Sequence, residues 1–276
     1  MSYLPEERQI FNNNRSRQEV VSVYDTDTLV GRLHDYASPD SLIVYDIDGT
    51  LRPSTAKYLV LSNLTNPARW KNWVKSEGLL ERMTWPFDMA WVSMVAFGMN
   101  WDWNIIEEFC LNYAESFVLD KFDDDERKQV MENSSTPFYP GAREVVDLYS
   151  EAQRILVSRT FEELVEQTRE QLGMEEGLHR VEEKAETVLG LVQERGVNRV
   201  LLFGDLEIDL QIAGLLKDRG IDYDMVLVNK QFDYKRFDDR ATIFIPRNWR
   251  GLLEMLRGET YKQMTVSGLH GKVLVR

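Results

Sequence analysis

Residues 41–53 read SLIVYDIDGTLRP. Four apolar residues, Leu42, Ile43, Val44 and Tyr45, run without interruption into Asp46-Ile47-Asp48-Gly49-Thr50. A short continuous apolar run ending in acids and a glycine has the pattern of a strand buried on both faces, as in parallel sheets. Two carboxylates one residue apart repel each other unless something cationic lies between them. The rest of the chain bears on what that cation is.

At 276 residues the chain is long enough for one large α/β domain and a smaller companion. Its 43% hydrophobic and 29% charged residues are those of a soluble globular protein. A net charge of −13 argues against a nucleic-acid backbone as main partner, because phosphate contacts need a basic surface. A small phosphorylated substrate needs only a local cation and is compatible with that balance. A single cysteine, Cys110, rules out an internal disulfide and suits a reducing, cytoplasmic compartment. The first twenty residues are polar and contain no signal-peptide core. The most apolar segment, residues 85–103, is broken by Asp88, Asn100 and Asp102, which leaves it too short for a membrane span of about 20 apolar residues.

Away from the opening stretch, hydrophobic spacing sorts the chain into parts. Residues 1–38 form an N-terminal extension with one expected helix over TDTLVGRLHDYA, where Leu29, Val30, Leu33 and Tyr36 share a face. Residues 54–137 read as an insertion of four or five helices. One of them opens with Asn66 as N-cap and Pro67 at the first helical position. After FYPG, residues 138–141, short apolar strands alternate with helices: RILVS, RVLLFG, MVLV and TIFI are the strands. The helix after RILVS is expected to open with a capping box, Thr160-x-x-Glu163. This alternation predicts an α/β fold, a doubly wound parallel sheet built from residues 39–53 and 138–260, with residues 261–276 as a tail. Ligands of such sheets bind at the carboxyl ends of the strands.

The polar residues at those ends form a coherent set. The first strand ends in Asp46 and Asp48, RILVS ends in Ser158, and RVLLFG ends in Gly204 and Asp205, with Asp209 one turn into the next helix. Lys184 opens a helix between the second and third of these places. Gathered carboxylates call for a hard cation, and oxygen-only ligands favour Mg²⁺. His34, His179, His270 and Cys110 form no cluster in sequence, which speaks against zinc. Asp205 and Asp209 can reach one ion together, directly or through water. Asp46 can give one oxygen to the ion and use the other as a nucleophile. Asp48, two residues along an extended stretch, is placed to donate a proton to a leaving alkoxide and take one from water. Ser158 and Lys184 suit the spread negative charge of a phosphoryl group.

DIDGT, the serine of ILVSRT, the lysine of EEKAETV and GDLEID resemble, in order and context, the four motifs of the haloacid dehalogenase (HAD) superfamily over residues 41–258. The resemblance implies a Rossmann-like core, Mg²⁺, Asp46 as nucleophile and Asp48 as acid/base. It implies Thr50, Ser158 and Lys184 on the phosphate, and Asp205 as metal ligand beside Asp46 and the backbone carbonyl of Asp48. Asp209 would be a ligand or a residue that holds one. The helical insertion sits where C1-type caps occur, as in phosphoserine-phosphatase-like members, and the second aspartate marks the phosphatase branch. The chain departs from the family pattern at Leu206 and Ile208, where small or polar residues are commoner.

The expected function is hydrolysis of a phosphate monoester on a small metabolite through an aspartyl-phosphate. Two other readings stand beside it: a HAD-like scaffold that binds a partner through the insertion, and a phosphotransferase or nucleic-acid end phosphatase. The insertion carries six of the seven tryptophans, among them Trp70, Trp85 and Trp101, and Met83, Met89, Met94 and Met99, which suit either a small core or a contact face. Arg52, just past the first motif, can touch substrate or form a salt bridge to the flap.

Overall fold

The computed structural model describes residues 19–56, 59, 124–134, 136–229, 240–259, 262–267 and 272–275. Most of the expected helical insertion, with its tryptophans, methionines and Cys110, lies outside these residues.

The strand expected from the opening stretch is β2 (Ser41–Tyr45), buried along its whole length. Its neighbours in the sheet are β3 (Gln153–Val157) and β5 (Arg199–Gly204), both parallel to it. Beyond them lie β4 (Glu176–Leu178), β6 (Asp222–Asn229) and β7 (Ile243–Pro246), also parallel. Three further strands complete a nine-stranded sheet: β1 (Glu19–Ser22), β8 (Lys262–Ser267) and β9 (Lys272–Val275), in the order β4-β3-β2-β5-β6-β7-β1-β8-β9. β1 runs antiparallel to β7 and β9 antiparallel to β8. The six-strand block is the expected parallel sheet. The residues expected to be a C-terminal tail instead add β8 and β9 to its far side.

Side-chain alternation explains why helices cover both faces. Ile43, Tyr45, Leu201, Phe203, Val226 and Val228 point to one face. There they meet α1 (Thr26–Asp35), α3 (Ala142–Leu148), α4 (Glu162–Leu172) and α7 (Arg250–Leu256) through Leu29, Val145, Leu164 and Leu252. Leu42, Val44, Val200, Leu202, Met225 and Leu227 point to the other. That side is closed by α5 (Lys184–Arg195) and α6 (Glu207–Asp218) through Val188, Val192, Leu210 and Leu216. Each such side chain removed from water stabilises the fold by roughly 1.5–3 kcal/mol. α2 (Asp124–Ser134) lies within residues 54–137, the stretch expected to be helical, and precedes FYPG.

Besides the pairing of β1, one buried acid ties the N-terminal segment to the sheet. Asp224 on β6 accepts from the Tyr24 hydroxyl at 2.9 Å, the Tyr36 hydroxyl at 3.0 Å and Arg32 Nε at 2.8 Å. Burial and the Asp224 charge raise both tyrosine pKa values well above the ordinary phenol. Asp25 caps α1 by accepting from Thr28 N.

The expected capping box on α4 does not form. Phe161 occupies the N-cap position and no side chain caps the helix. Thr160 lies outside the helix, its amide donating to Ser158 Oγ at 3.4 Å, and its buried hydroxyl has no hydrogen-bond partner among the described residues. The turn that places Ser158 wins over the local capping signal.

Candidate active site

Strand register brings the motif residues together. Tyr45 pairs with Leu156 on one side and with Phe203 on the other. The next residues, Asp46, Val157 and Gly204, therefore lie level at the carboxyl edge, and Ser158 and Asp205 follow at once. Asp46 N donates to Phe203 O at 2.9 Å, which keeps the acid tied to β5 past the end of β2. One residue below, Tyr45, Phe203 and Trp249 stack with successive ring centroids 4.9 Å apart. That stack gives the edge a rigid floor.

Asp46, Asp48, Thr50, Ser158, Lys184, Asp205 and Asp209 are all buried, none more than 6% exposed. Asp46 Oδ1 accepts from Ser158 Oγ at 3.0 Å and from Lys184 Nζ at 2.8 Å. The same ammonium donates to Asp209 Oδ1 at 2.9 Å. Burial alone would lower the Lys184 pKa, but the facing carboxylates of Asp209 and Asp46 outweigh it and hold the pKa above the ordinary lysine value. One carboxylate oxygen from each of Asp46, Asp205 and Asp209 lies within 4.8 Å of the other two.

Asp209 turns both its oxygens to the chain. Its Oδ2 accepts from the amides of Asp205 at 3.1 Å and Leu206 at 3.2 Å, while Oδ1 faces Lys184. It pins the Asp205 turn and the lysine at once. The departures at Leu206 and Ile208 leave this intact, because it is made by backbone amides and a carboxylate. Gly204 makes the approach possible: a Cβ there would lie 2.3 Å from Asp209 Cβ.

After Asp46 the chain does not stay extended. The amides of Leu51 and Arg52 both donate to Ile47 O, and Gly49 N donates to Arg52 O, so residues 47–52 form a tight turn. Asp48 is displaced from the three-acid cluster by this turn and accepts from Thr55 N at 2.8 Å. Gly49 sits at φ +85°, and a Cβ on it would lie 2.0 Å from Asp205 Oδ2. That space belongs to the Asp205 carboxylate. The Thr50 hydroxyl is buried in the turn without a hydrogen-bond partner among the described residues.

Arg52 points into the core side. Its guanidinium lies 4.1 Å from the centre of the Phe138 ring and donates to Gln171 Oε1 at 2.7 Å. Burial lowers its pKa to about 10, against the opposing pull of Asp48. An aromatic ring and an amide oxygen hold the arginine, in place of the expected substrate contact or salt bridge.

Arg247 is a residue of this site that the motif reading passed over. It follows β7, and its Nη2 donates to Asp205 Oδ2 at 3.3 Å. The signal was available, since TIFI is a strand and a charged residue stands two places past its end.

Comparison with solved structures puts this arrangement in a known setting. A HAD family hydrolase from Salmonella enterica serovar Typhi superposes with a TM-score of 0.50 at 10% identity, over 79% of this chain and 72% of that one. This is the HAD hydrolase fold. Two phosphoserine phosphatase structures also align to the chain. One is substrate-bound, with TM-score 0.44 and 15% identity over 77% of this chain and 96% of that one. The other is a phospho-aspartyl intermediate analogue, with TM-score 0.46 and 14% identity over 79% and 99%. No family model and no curated protein sequence matches the chain. In the HAD fold described here, Asp46, Ser158, Lys184, Asp205 and Asp209 are joined by hydrogen bonds at one carboxyl edge of the sheet, with Asp48 and Thr50 on the turn beside it.

The residues fit a divalent ion. The three clustered side chains offer only carboxylate oxygens, the hard donors that Mg²⁺ takes, and Gly49 leaves room for the carboxylate of Asp205 where any side chain would intrude. No described helix is long and apolar enough to cross a membrane.

Proposed function

We propose that the protein is a Mg²⁺-dependent phosphohydrolase that cleaves a phosphate monoester on a small metabolite through an aspartyl-phosphate on Asp46. The observation that carries this reading is the treatment of Asp46. It is a buried carboxylate held by both Ser158 and Lys184, with two further acids close enough to share a cation. A structural acid needs one partner of opposite charge, whereas a phosphoryl-transfer site needs a fixed nucleophile, cationic donors and a metal position together.

Asp46 and Asp205 would hold the ion with the backbone carbonyl of Asp48. Asp209 would keep the Asp205 turn and Lys184 in register. When bound, Mg²⁺ supplies positive charge shared between the attacking carboxylate and the phosphoryl oxygens. Ser158, Lys184 and the Thr50 hydroxyl orient the phosphoryl group. An Asp46 oxygen attacks phosphorus and the bond from phosphorus to the ester oxygen breaks, while Asp48 gives its proton to the departing alkoxide. A water then attacks the same phosphorus and passes a proton to Asp48. The bond between phosphorus and Asp46 breaks, inorganic phosphate leaves, and the carboxylate is restored.

A panel of phosphorylated metabolites with Mg²⁺, read as inorganic phosphate release, tests the reading. Wild type should turn over at least one ester, Asp46→Asn should fall by at least about a thousandfold, and fluoroberyllate, an acyl-phosphate mimic, should inhibit. Full turnover by Asp46→Asn would remove Asp46 as nucleophile.

A further inference from the structure

Lys184 and Arg247 divide the three clustered acids between them, and they are used to different extents. Lys184, on the floor, spends its ammonium on Asp46 and Asp209 at 2.8 and 2.9 Å and is 3% exposed. Arg247, 28% exposed, reaches Asp205 with one N–H at 3.3 Å, longer than the usual N–H···O range of about 2.7–3.2 Å. Its Nε–H is buried and meets no acceptor among the described residues. A guanidinium carries five N–H donors in a planar fork shaped for carboxylate or phosphate oxygens, so most of this one is unspent.

Its position is nevertheless fixed. The guanidinium lies 5.7 Å from the centre of the Tyr139 ring, and Trp249 N, two residues on, donates to Pro140 O at 2.7 Å. The Arg247 loop is thereby locked to the segment where the chain returns from the insertion. The Tyr139 hydroxyl is pushed up to about 12, first by burial, with Arg247 opposing and Asp205 and Asp48 adding to the rise. Tyr139 thus feels both acids, and Arg247 stands between its ring and Asp205.

We propose that Arg247 is a specificity-determining residue that pairs with a second anionic group, a carboxylate or a further phosphate, carried on the leaving part of the substrate. This assignment rests on the phosphatase reading and narrows its substrate class to esters with two anionic groups. Such substrates are repelled by a chain of net charge −13 unless a local cation receives them.

Matched pairs of substrates test it: 3-phosphoglycerate against glycerol 3-phosphate for a carboxylate, and fructose 1,6-bisphosphate against fructose 1-phosphate for a second phosphate. Wild type should favour the doubly anionic member of one pair by about tenfold or more in kcat/KM. Arg247→Met should bring that ratio close to one, and Arg247→Lys should keep part of it. A role confined to holding Asp205 would slow both members equally and leave the ratio unchanged, which overturns the proposal. Calorimetric binding of the same pairs to Asp46→Asn, with and without Arg247→Met, separates the two readings. A binding preference lost with Arg247, in a protein that hydrolyses nothing, keeps the anion subsite and removes the phosphatase. Brisk hydrolysis with no preference in rate or binding does the reverse.

Discussion

Gly49 shows how far a single residue is committed to the site. It occupies the left-handed region at φ +85°, and the volume where a Cβ would stand is filled by the Asp205 carboxylate. For Gly49→Ala the backbone strain alone costs about 1–2 kcal/mol, and denaturant unfolding measures it. The larger effect is on Asp205, which must move to make room, so kcat/KM should fall about a hundredfold. A variant that loses stability but keeps its turnover would show that the place of Asp205 is not critical. Most of the site residues were legible in sequence because each stands at the end of an apolar strand or opens a helix. The local conformation after Asp46 was not. Asp48 read as lying two residues along an extended stretch, yet hydrogen bonds back to Ile47 O fold residues 47–52 into a turn, and the spacing of the two acids carries no sign of that.

Among the elements, β2, β3, β5, β6, β7 and the helices between them were legible because their strands are buried on both faces and read as unbroken apolar runs. β1, β4, β8 and β9 were not: Glu19–Ser22 and Glu176–Leu178 hold at most two apolar residues in a row, and Lys272–Val275 went unread despite its run of Val273, Leu274 and Val275. Lys262–Ser267 mixes polar and apolar residues, and only pairing with β1 makes it a strand. The Thr160 capping box failed for a different reason: the turn that places Ser158 takes the Thr160 amide and leaves its hydroxyl buried and unpartnered among the described residues. Thr160→Val should then cost little, well below the roughly 1 kcal/mol of a lost N-cap, and a thermal midpoint checks it. Asp224 ties α1 and its flanking tyrosines to β6. Arg32→Met should destabilise the protein by about 3 kcal/mol, the low end for breaking a buried pair, because Arg32 is partly exposed while Asp224 is wholly buried. A shift below about 0.5 kcal/mol in urea unfolding, the size of an ordinary surface change, would contradict this.

At the scale of the whole molecule, the sheet acts as a platform that sets three strand ends level, and on the proposed function the acids collected there should make the folded state responsive to a divalent ion. Protein stripped with EDTA should gain thermal stability on adding Mg²⁺, by about 2.7 kcal/mol at a hundred times the dissociation constant. Asp205→Asn should show little of that gain, and an equal gain in both proteins would place the ion elsewhere. The measurement closest to the central claim is capture of the covalent intermediate. Wild-type protein mixed with a turned-over phosphate ester and Mg²⁺, quenched in acid and digested, should yield a peptide containing residues 41–53 that carries one phosphoryl group on Asp46, and Asp46→Asn should yield none. Steady hydrolysis with no phosphorylated aspartate at any quench time, or with the phosphoryl group on another residue, would contradict it.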